Sequence, residues 1–530
     1  MDIDSLFNEI IDQDDSFISQ APEDKFEEDI ENEIDYKDFS IHKIPLPEFV
    51  SKKDAKSFLI DNILMQPFQD KFAKMTPFEL YKYFFFDLCK EIAKYTNIFI
   101  VEENKDKKID KDLKVTESDI LLYLFIYIYL SVYNLPEIGM LWEKSILFKS
   151  IIPNIISKNK YNHINKYFTI SYITKEDKPE KAEKILPIIN YLNTKWKEAY
   201  PYTKYISIDE AMTSYKGTVC FKQYMKDKHK RFGIKLFSKA SADRGYCYHM
   251  LLYTGKNFEY DKKYGIGTTV IKELTKEHMN QNYHFTFDNY FSNLYTFFYL
   301  EQNKLKFTCT FSLYKKAIPE RIKKLNLKKG KSKYYQLDNT NVKMFIINEN
   351  KKQIQLASNC CDIQMVKYEN KTKKLQHKYE MIANYNLTKS GVDLIDSATQ
   401  VYKTQRKTNK WWKAVFFYLM DVTLNNCTII YQTSEKYHSI SKKNKSLSFR
   451  KILIEEFLEY FNAKEIKVGQ RLVKEYHLLV DNGMKPKSCF NCKQMKRPIG
   501  KNYKRSKFKC DKCDKVFCKE CFISVHLNMQ

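Results

Sequence analysis

The sequence predicts an α/β fold with several domains, in which a strand-rich core is flanked by mainly helical regions and followed by a small metal-binding module. Three observations support this prediction. Apolar residues recur at helical spacing from Ser57 to about Tyr200. At Tyr205 the pattern changes to short strand-like runs that are bounded by turn residues. Six of the 13 cysteines then fall within the last 42 residues, in closely spaced pairs.

The composition is that of a folded, multidomain protein. A chain of 530 residues is too long for one hydrophobic core and suggests roughly two to four domains. Apolar residues make up 43% of the chain and aromatic residues 15%, which excludes wholesale disorder. The 12 Gly and 13 Pro exclude collagen-like, flexible-linker and proline-rich proteins.

The charge is divided unevenly along the chain. Residues 1–40 hold 15 acidic residues and 2 Lys, so the formal net charge of +25 splits into −13 for this arm and +38 for the rest. The basic body favours a nucleic-acid partner, although 82 of the 90 basic residues are Lys, as is typical of AT-rich coding. The arm is either a solvated disordered tail or a segment that shields a DNA-binding surface.

No membrane or export segment is predicted. The N-terminus lacks the basic and apolar regions of a signal peptide. The most apolar run, 120–133, has 14 residues, whereas a membrane-spanning helix needs ~20. We therefore expect no membrane partner and a reducing compartment, in which the seven scattered cysteines are buried thiols rather than disulfides.

The elements follow from the periodicity of the apolar residues. Helices are predicted at 76–95, 119–133 and 268–279 and within 384–431 and 449–461, and strands at 205–209, 232–237, 246–253, 284–288, 343–347, 353–357 and 362–368.

Two of the predicted strands end in an aspartate. Asp209 and Asp288 are 79 residues apart, and Asp393 opens a helical stretch 105 residues later, with Asp396 one turn further on. Carboxylates at the ends of adjacent strands, joined by one from a packing helix, can hold the pair of Mg²⁺ ions that metal-dependent phosphoryl transfer requires. A solvated turn aspartate is the alternative for each residue.

The residues around these aspartates resemble the piggyBac family of transposases. The runs that carry the resemblance are SIDEAM at 207–212, RFGIK at 231–235, FDNYF at 287–291, SGVDLID at 390–396 and RKTNKWW at 406–412. They occur in the family's order, and the resemblance covers about residues 55–460 plus the cysteine tail.

This resemblance implies an RNase H-like catalytic core. Asp209, Asp288 and Asp393 would be the catalytic Mg²⁺ ligands, and Asp396 an acidic neighbour needed at the same site. The implied activity is excision and integration of a DNA transposon at TTAA sites, with a hairpin formed on the transposon end. The implied partners are double-stranded DNA, as terminal repeats and target, and a second copy in a homodimer, and the implied location is the nucleus.

A basic and aromatic segment follows the third aspartate. Arg406, Lys407, Lys410 and Trp411 are candidate DNA-binding residues, because cations contact phosphates and aromatic rings stack on unpaired bases. The alternative is an amphipathic helix whose tryptophans pack in the core. Both interpretations hold together if Trp412 is packed and Trp411 reaches DNA.

The cysteine tail has the spacing of zinc ligands. It reads Cys-x2-Cys, Cys-x2-Cys-x4-Cys-x2-Cys-x4-His, with the ligand candidates Cys489, Cys492, Cys510, Cys513, Cys518, Cys521 and His526. The family pattern implies a cross-brace with Cys489, Cys492, Cys518 and Cys521 in one site and the other three in a second. Two structural Zn²⁺ ions need eight ligands; His477 or water are candidates for the eighth. Because residues 485–530 hold 13 basic and 3 acidic residues, we expect a module for terminal DNA, with a protein-interaction or histone-reader zinc fold as the rival.

The predicted organisation has seven segments. They are an acidic disordered arm at 1–54, a helical dimerisation and DNA-binding region at 55–204 and 403–480, an RNase H-like core at 205–315 and 380–402, an insertion at 316–379 and a zinc module at 485–530. The predicted function is DNA transposase. The alternatives are a domesticated DNA-binding or chromatin protein and a host excisase for programmed DNA elimination.

Overall fold

The computed structural model describes residues 41–43, 56–57, 64–104, 114–144, 148, 150–171, 181–225, 231–315, 318–349, 352–370, 374–434, 444–465, 479–481, 483, 485–495, 498–499, 502–510 and 513–526. It divides into two compact units, Met1–Glu459 and Tyr460–Gln530. The predicted domain boundaries within the first unit stay predictions, because its elements share one continuous fold.

The first unit begins with a helical region. Its helices are α1 (Asp70–Lys74), α2 (Pro77–Glu103), α3 (Glu117–Val132), α4 (Lys158–Tyr167) and α5 (Leu186–Ala199). The two long helices α2 and α3 both start with a capping box, in which a threonine side chain and an acidic side chain three residues later satisfy each other's backbone N–H groups. The helix predicted at 119–133 is confirmed, and it is buried on nearly every side.

A ten-stranded sheet forms the centre of this unit. Its core strands and helices are β3 (Tyr205–Ser214), β4 (Lys222–Tyr224), β5 (Phe232–Ser241), β6 (Cys247–Leu252), α6 (Gly265–Thr275), β7 (His284–Phe287), α7 (Leu294–Gln302) and β8 (Lys306–Thr310). The strand order β6-β5-β3-β7-β8, antiparallel from β6 to β3 and parallel from β3 to β8, is the predicted RNase H-like arrangement.

The same sheet continues beyond β8. After the short helix α8 (Glu320–Lys323), the strands β9 (Ser332–Leu337), β10 (Lys343–Asn348) and β11 (Gln353–Ser358) form an antiparallel meander, and β11 pairs with β8. The strands β2 (Lys56–Ser57), β12 (Met365–Glu369) and β13 (Leu375–Tyr379) form a separate three-stranded sheet.

The edge of the large sheet contains a strand from the arm predicted as disordered. Strand β1 (Ile41–Lys43) pairs antiparallel with β9, and Ile41 is buried in the main core. The Arg321 guanidinium donates to the Ile41 carbonyl oxygen. The disorder predicted for 1–54 is therefore wrong for these three residues, because a buried isoleucine and ladder hydrogen bonds compensate for the entropy of ordering them. Residues 1–40 and 44–54 lie outside the described residues.

Four helices complete the unit: α9 (Glu380–Thr388), α10 (Gly391–Val401), α11 (Trp411–Tyr431) and α12 (Lys445–Glu465), whose last residues belong to the second unit. Helix α11 is long and apolar enough to cross a membrane, but 94% of its apolar window is buried inside the protein. It is the central core helix: Trp196 on α5 donates to Thr423 at 3.1 Å, and Tyr81 on α2 contacts the sulfur of Met420 at 3.9 Å.

The second unit is small and has short elements. Its strands are β14 (Leu479–Asp481), β15 (Lys487–Ser488), β16 (Pro498–Ile499), β17 (Asn502–Tyr503), β18 (Arg505–Ser506) and β19 (Phe508–Cys510), and its helices are α13 (Phe490–Gln494) and α14 (Lys519–His526). The strands pair two by two. Its small apolar core consists mainly of cysteines with Phe517 and Phe522.

Candidate active site and cysteine module

Strands β3 and β7 place the first two predicted aspartates side by side. The strands are parallel, and Ser207 lies opposite Thr286 in their register. Asp209 and Asp288 each follow two residues later. Because side chains alternate along a strand, Asp209 lies on the same face of β3 as Ser207, and Asp288 comes directly after the last residue of β7. Burial raises the pKa of Tyr385, and both carboxylates lie near enough to this residue to raise its pKa further. As predicted, Asp288 lies where β7 ends, at the carboxyl edge of the parallel strands, whereas the strand end predicted at Asp209 is wrong, because β3 pairs with β5 past Asp209 and continues to Ser214.

The third aspartate is brought to this edge by the connection between α9 and α10. The Ser207 hydroxyl donates to the Lys389 carbonyl oxygen at 2.8 Å, and the Thr286 and Thr388 hydroxyls are 2.7 Å apart. Ser207 and Thr286 each lie two residues before an aspartate. The α9–α10 connection is thus fixed to both strands, and Asp393 lies in the first turn of α10.

Gly391 allows this close approach. A Cβ atom at this position would lie 2.6 Å from the Ser241 carbonyl oxygen and 2.9 Å from the Ser207 Cβ. Cβ atoms in proteins essentially never lie within 3.0 Å of such a neighbouring atom, so a side chain at position 391 would displace α10 from the sheet. The glycine of the GVD run is required by packing beside the site.

The three aspartates do not form a group whose ligand atoms all lie within 4.8 Å of each other. Among the described residues, the four-cysteine group of the second unit is the one set whose ligand atoms all lie within 4.8 Å of each other. Asp393 is exposed, whereas Asp209 and Asp288 are half-buried. Carboxylate oxygens are the ligands that Mg²⁺ prefers, so the chemistry of this donor set fits the pair of metal ions that phosphoryl transfer uses.

The electrostatics of the edge disfavour further negative charge. Burial and the nearby Glu210 carboxylate raise the pKa of Asp288 to about 6, although the Tyr290 N–H, which donates to Asp288 at 3.0 Å, and the cations Lys315 and Lys235 oppose this shift. A bound cation would relieve the repulsion between these carboxylates.

A buried ion pair supports the edge. The Lys235 ammonium group is 2.8 Å from the Glu210 carboxylate, and the two side chains are 5% and 13% exposed. The same ammonium group lies 4.2 Å from the centre of the Tyr290 ring. The RFGIK and SIDEAM runs contain these two residues, but sequence reasoning did not assign them a role, because their pairing across β3 and β5 is not a local signal.

Asp396 faces the core helix. Its carboxylate accepts from the Tyr418 hydroxyl at 3.4 Å, and burial together with this carboxylate raises the pKa of Tyr418 well above its usual value. Its role as an acidic neighbour of the metal site stays a prediction.

The basic and aromatic segment is partly structural. Arg406 donates to the carbonyl oxygens of Leu130 at 2.9 Å and Leu135 at 3.0 Å, which connects the segment to the end of α3. Lys407 and Lys410 are exposed.

The two tryptophans at the start of α11 have different environments. Trp412 is buried and stacks on Phe168, with ring centroids 5.9 Å apart. Trp411 is half-buried and meets Phe221 edge to face at 5.1 Å. The predicted packing of Trp412 is what the structure has, and a contact of Trp411 with DNA stays a prediction.

Four cysteines of the second unit converge. The sulfur of Cys492 lies 3.4 Å from that of Cys521 and 4.0 Å from that of Cys518, and Cys489 completes a group in which all four are buried. Sulfurs on a tetrahedral Zn²⁺ with ~2.3 Å bonds would be about 3.8 Å apart. Burial raises the pKa of Cys489, but the N–H groups of Cys492 and Cys518 outweigh burial and bring it to about 7. The donor set is consistent with a zinc module.

The second predicted ligand set is described only in part. Cys510 is buried, Cys513 is partly exposed, and the Cys513 N–H donates to the Cys510 sulfur at 3.3 Å. The side chain of His526 and all of His477 lie outside the described residues. A second Zn²⁺ site stays a prediction.

The chain is similar to transposases and to proteins derived from them. A family model described as "Transposase IS4" matches residues 76–428. The chain is 25% identical over 487 residues to the human PiggyBac transposable element-derived protein 3, covering 87% of this chain and 78% of that protein. It is 23% identical over 418 residues to the human PiggyBac transposable element-derived protein 2, covering 76% and 68%.

A solved structure shares the fold. A cryo-EM structure of a piggyBac transposase synaptic complex with hairpin DNA superposes with a TM-score of 0.65 and 20% identity, covering 85% of this chain and 97% of that chain. The family model covers about two-thirds of the sequence and includes the three aspartates, and the five runs identified above had indicated the same family. The chain belongs to the piggyBac-type transposase family.

Proposed function

We propose that this protein is a DNA transposase that cleaves and joins strands at a site formed by Asp209, Asp288 and Asp393. The observation that supports the proposal is the parallel register of β3 with β7, in which Ser207 and Thr286, each two residues before an aspartate, lie opposite each other, while the connection that leads to Asp393 is hydrogen-bonded to Ser207. An acidic edge of this kind is suited to metal-dependent phosphoryl transfer.

The side chains of the edge would hold two Mg²⁺ ions and keep them positioned. When bound, Mg²⁺ lowers the pKa of the attacking water or 3′-hydroxyl and stabilises the leaving oxygen. The Tyr290 N–H orients the Asp288 carboxylate, and the Lys235–Glu210 pair fixes the neighbouring backbone of β3 and β5. No side chain need act as general base.

The DNA reaction that we propose has several parts. Hydrolysis nicks one strand and frees a 3′-hydroxyl at the transposon end. This hydroxyl attacks a phosphodiester of the opposite strand and displaces the flanking DNA strand, which leaves a hairpin on the transposon end, and integration occurs at TTAA. The exposed Lys407 and Lys410 would contact phosphates near the site. Trp411 would stack on an unpaired base of the hairpin, so Trp411→Ala would lower the hairpin yield of a folded protein.

The remaining parts of the proposal concern assembly and the cysteine module. Two transposon ends require two active sites, which favours a homodimer, and we propose a nuclear location because the proposed substrate is DNA. The buried quartet Cys489, Cys492, Cys518 and Cys521 would hold a structural Zn²⁺ ion. The basic surface of the module, with its 13 Lys and Arg in residues 485–530, would bind terminal-repeat DNA.

The rival function is that of a non-cutting DNA-binding protein. We consider it because the two human relatives are described as transposable element-derived. The test is cleavage of a plasmid that carries matched terminal repeats ending in TTAA, with Mg²⁺. Wild type and Asp87→Asn, which changes an exposed aspartate on α2, should form hairpin ends, and Asp288→Asn should not. Binding of the repeats without any cleavage by wild type would favour the rival.

A further inference from the structure

A cavity of about 330 Å³ lies between α3, α4 and the start of α11. Five of its lining residues are cationic, and none of its lining residues is acidic. They are Lys166, Arg406, Lys407, Lys410 and Lys413. The positive charges of these five side chains repel each other unless an anion lies between them.

Lys413 is the most buried of the five cations, and it donates hydrogen bonds to uncharged groups. It is 7% exposed, and its ammonium group donates to the Asn165 side-chain oxygen at 3.0 Å and to the Tyr123 hydroxyl at 3.3 Å. Its hydrogen-bond partners in the described part of the chain are uncharged. A buried cation normally has an anionic partner, because loss of hydration is costly. Burial, together with the charge of Lys410, lowers the pKa of Lys413 to about 7.

The first turn of α11 adds to the positive potential. Lys410 is the N-cap of this 21-residue helix, and Thr408, Asn409 and Lys410 line the cavity. Backbone N–H groups at a helix start and the helix dipole favour anions, phosphate groups in particular.

We propose that this cavity is a phosphate-binding site in which Lys413 supplies the buried charge. The cavity has the volume of about eleven water molecules at ~30 Å³ each, which accommodates a phosphate group with the atoms on either side of it. The phosphate belongs either to a DNA backbone or to a free polyphosphate. The DNA source rests on the proposed function, whereas a free polyphosphate does not.

The first arm of the test uses inorganic pyrophosphate and the full chain. Isothermal titration should show binding to wild type, and Lys413→Met and Lys410→Met should each weaken it about 10- to 100-fold, as for loss of a charged hydrogen bond. Lys94→Met, which changes a lysine on α2 whose side chain is 63% exposed, should bind as wild type does. Having two cavity variants keeps the test informative if one does not fold.

The second arm identifies the source of the phosphate. If a DNA phosphate occupies the cavity, Lys413→Met should reduce the salt dependence of duplex binding by about 0.9 in the slope of log K against log salt, and pyrophosphate should compete with duplex. Pyrophosphate binding with an unchanged slope and no competition would indicate a free polyphosphate. Absence of pyrophosphate binding together with an unchanged slope would overturn the proposal. Absence of cleavage alone would count against the proposed function and leave the pyrophosphate arm unaffected.

Discussion

Replacing Lys413 by methionine should change how stability depends on pH. Burial and the nearby Lys410 lower the pKa of Lys413 from 10.5 to about 7 in the folded protein. Between these two values the unfolded chain binds a proton that the folded chain does not. Stability therefore rises with pH across this window, and the destabilisation by Lys413 is fully present below pH 7. Methionine has a similar length and does not titrate.

The size of the effect follows from the shift in pKa. One pH unit within the window corresponds to ~1.4 kcal/mol, so the contribution of Lys413 should change by about 3 kcal/mol between pH 6.5 and 9.5. Methionine also loses the hydrogen bonds to Asn165 and Tyr123. The part of this loss that follows the protonation of Lys413 is already contained in the shift in pKa, and the remainder is constant with pH. The prediction therefore concerns the slope of the stability difference and not its sign at one pH.

The assay is urea unfolding of wild type and Lys413→Met at several pH values without DNA or phosphate. The free energy of unfolding of the variant minus that of wild type should fall by about 3 kcal/mol from pH 6.5 to 9.5. Lys407→Met, which removes an exposed charge at the same cavity, is the matched control for loss of one positive charge. A difference for Lys413→Met that stays constant over this range would refute the argument that this lysine is buried without a counter-charge.

Three further predictions concern a glycine, an ion pair and a metal site on which the fold depends. Gly391→Ala should displace α10 and abolish cleavage, because its Cβ would lie 2.6 Å from a backbone oxygen; Gly139→Ala, whose Cβ would meet only a lysine ammonium group at 3.8 Å, should cleave normally. Arg450→Met should lower the free energy of unfolding by about 3–5 kcal/mol, since it leaves Asp421 buried without its cation, 3.8 Å away; an unchanged urea midpoint would contradict this. Removal of zinc with a strong chelator should unfold the cysteine module while the first unit keeps its melting transition. Hydrogen exchange measures the unfolding of the module, and amide protection in 485–526 that survives chelation would show that metal does not stabilise it.

The local pattern was sufficient to predict the elements that form the site. Strand-like runs that lead to Asp209 and Asp288 were visible in the sequence, and both strands are present, although β3 continues past Asp209 to Ser214. The pairing of β3 with β7 was not visible, because its residues are 79 positions apart and a parallel pairing has no local sequence signature. Family resemblance supplied that link, and the register of Ser207 with Thr286 now gives its geometry.

Buried lysines account for two features that the sequence did not predict. Strand β5 was expected to end at Phe237, but it continues to Ser241 through Lys239, which is fully buried. Lys239 donates to the Leu274 carbonyl oxygen at 2.9 Å and pairs with Glu277, just beyond α6. A lysine is ordinarily read as exposed, and the partners that make its burial favourable come from a different element. The same reason explains why the cavity around Lys413 was missed.

The most direct test of the central claim is whether one metal site contacts all three aspartates. Fe²⁺ in place of Mg²⁺, with ascorbate and hydrogen peroxide, generates radicals that cut the backbone near the bound ion. The proposal predicts three cuts in wild-type protein, near residues 209, 288 and 393, which are all suppressed by excess Mg²⁺ and all lost in Asp288→Asn. Cuts at only one of these positions, or cuts that persist in Asp288→Asn, would contradict a shared metal site.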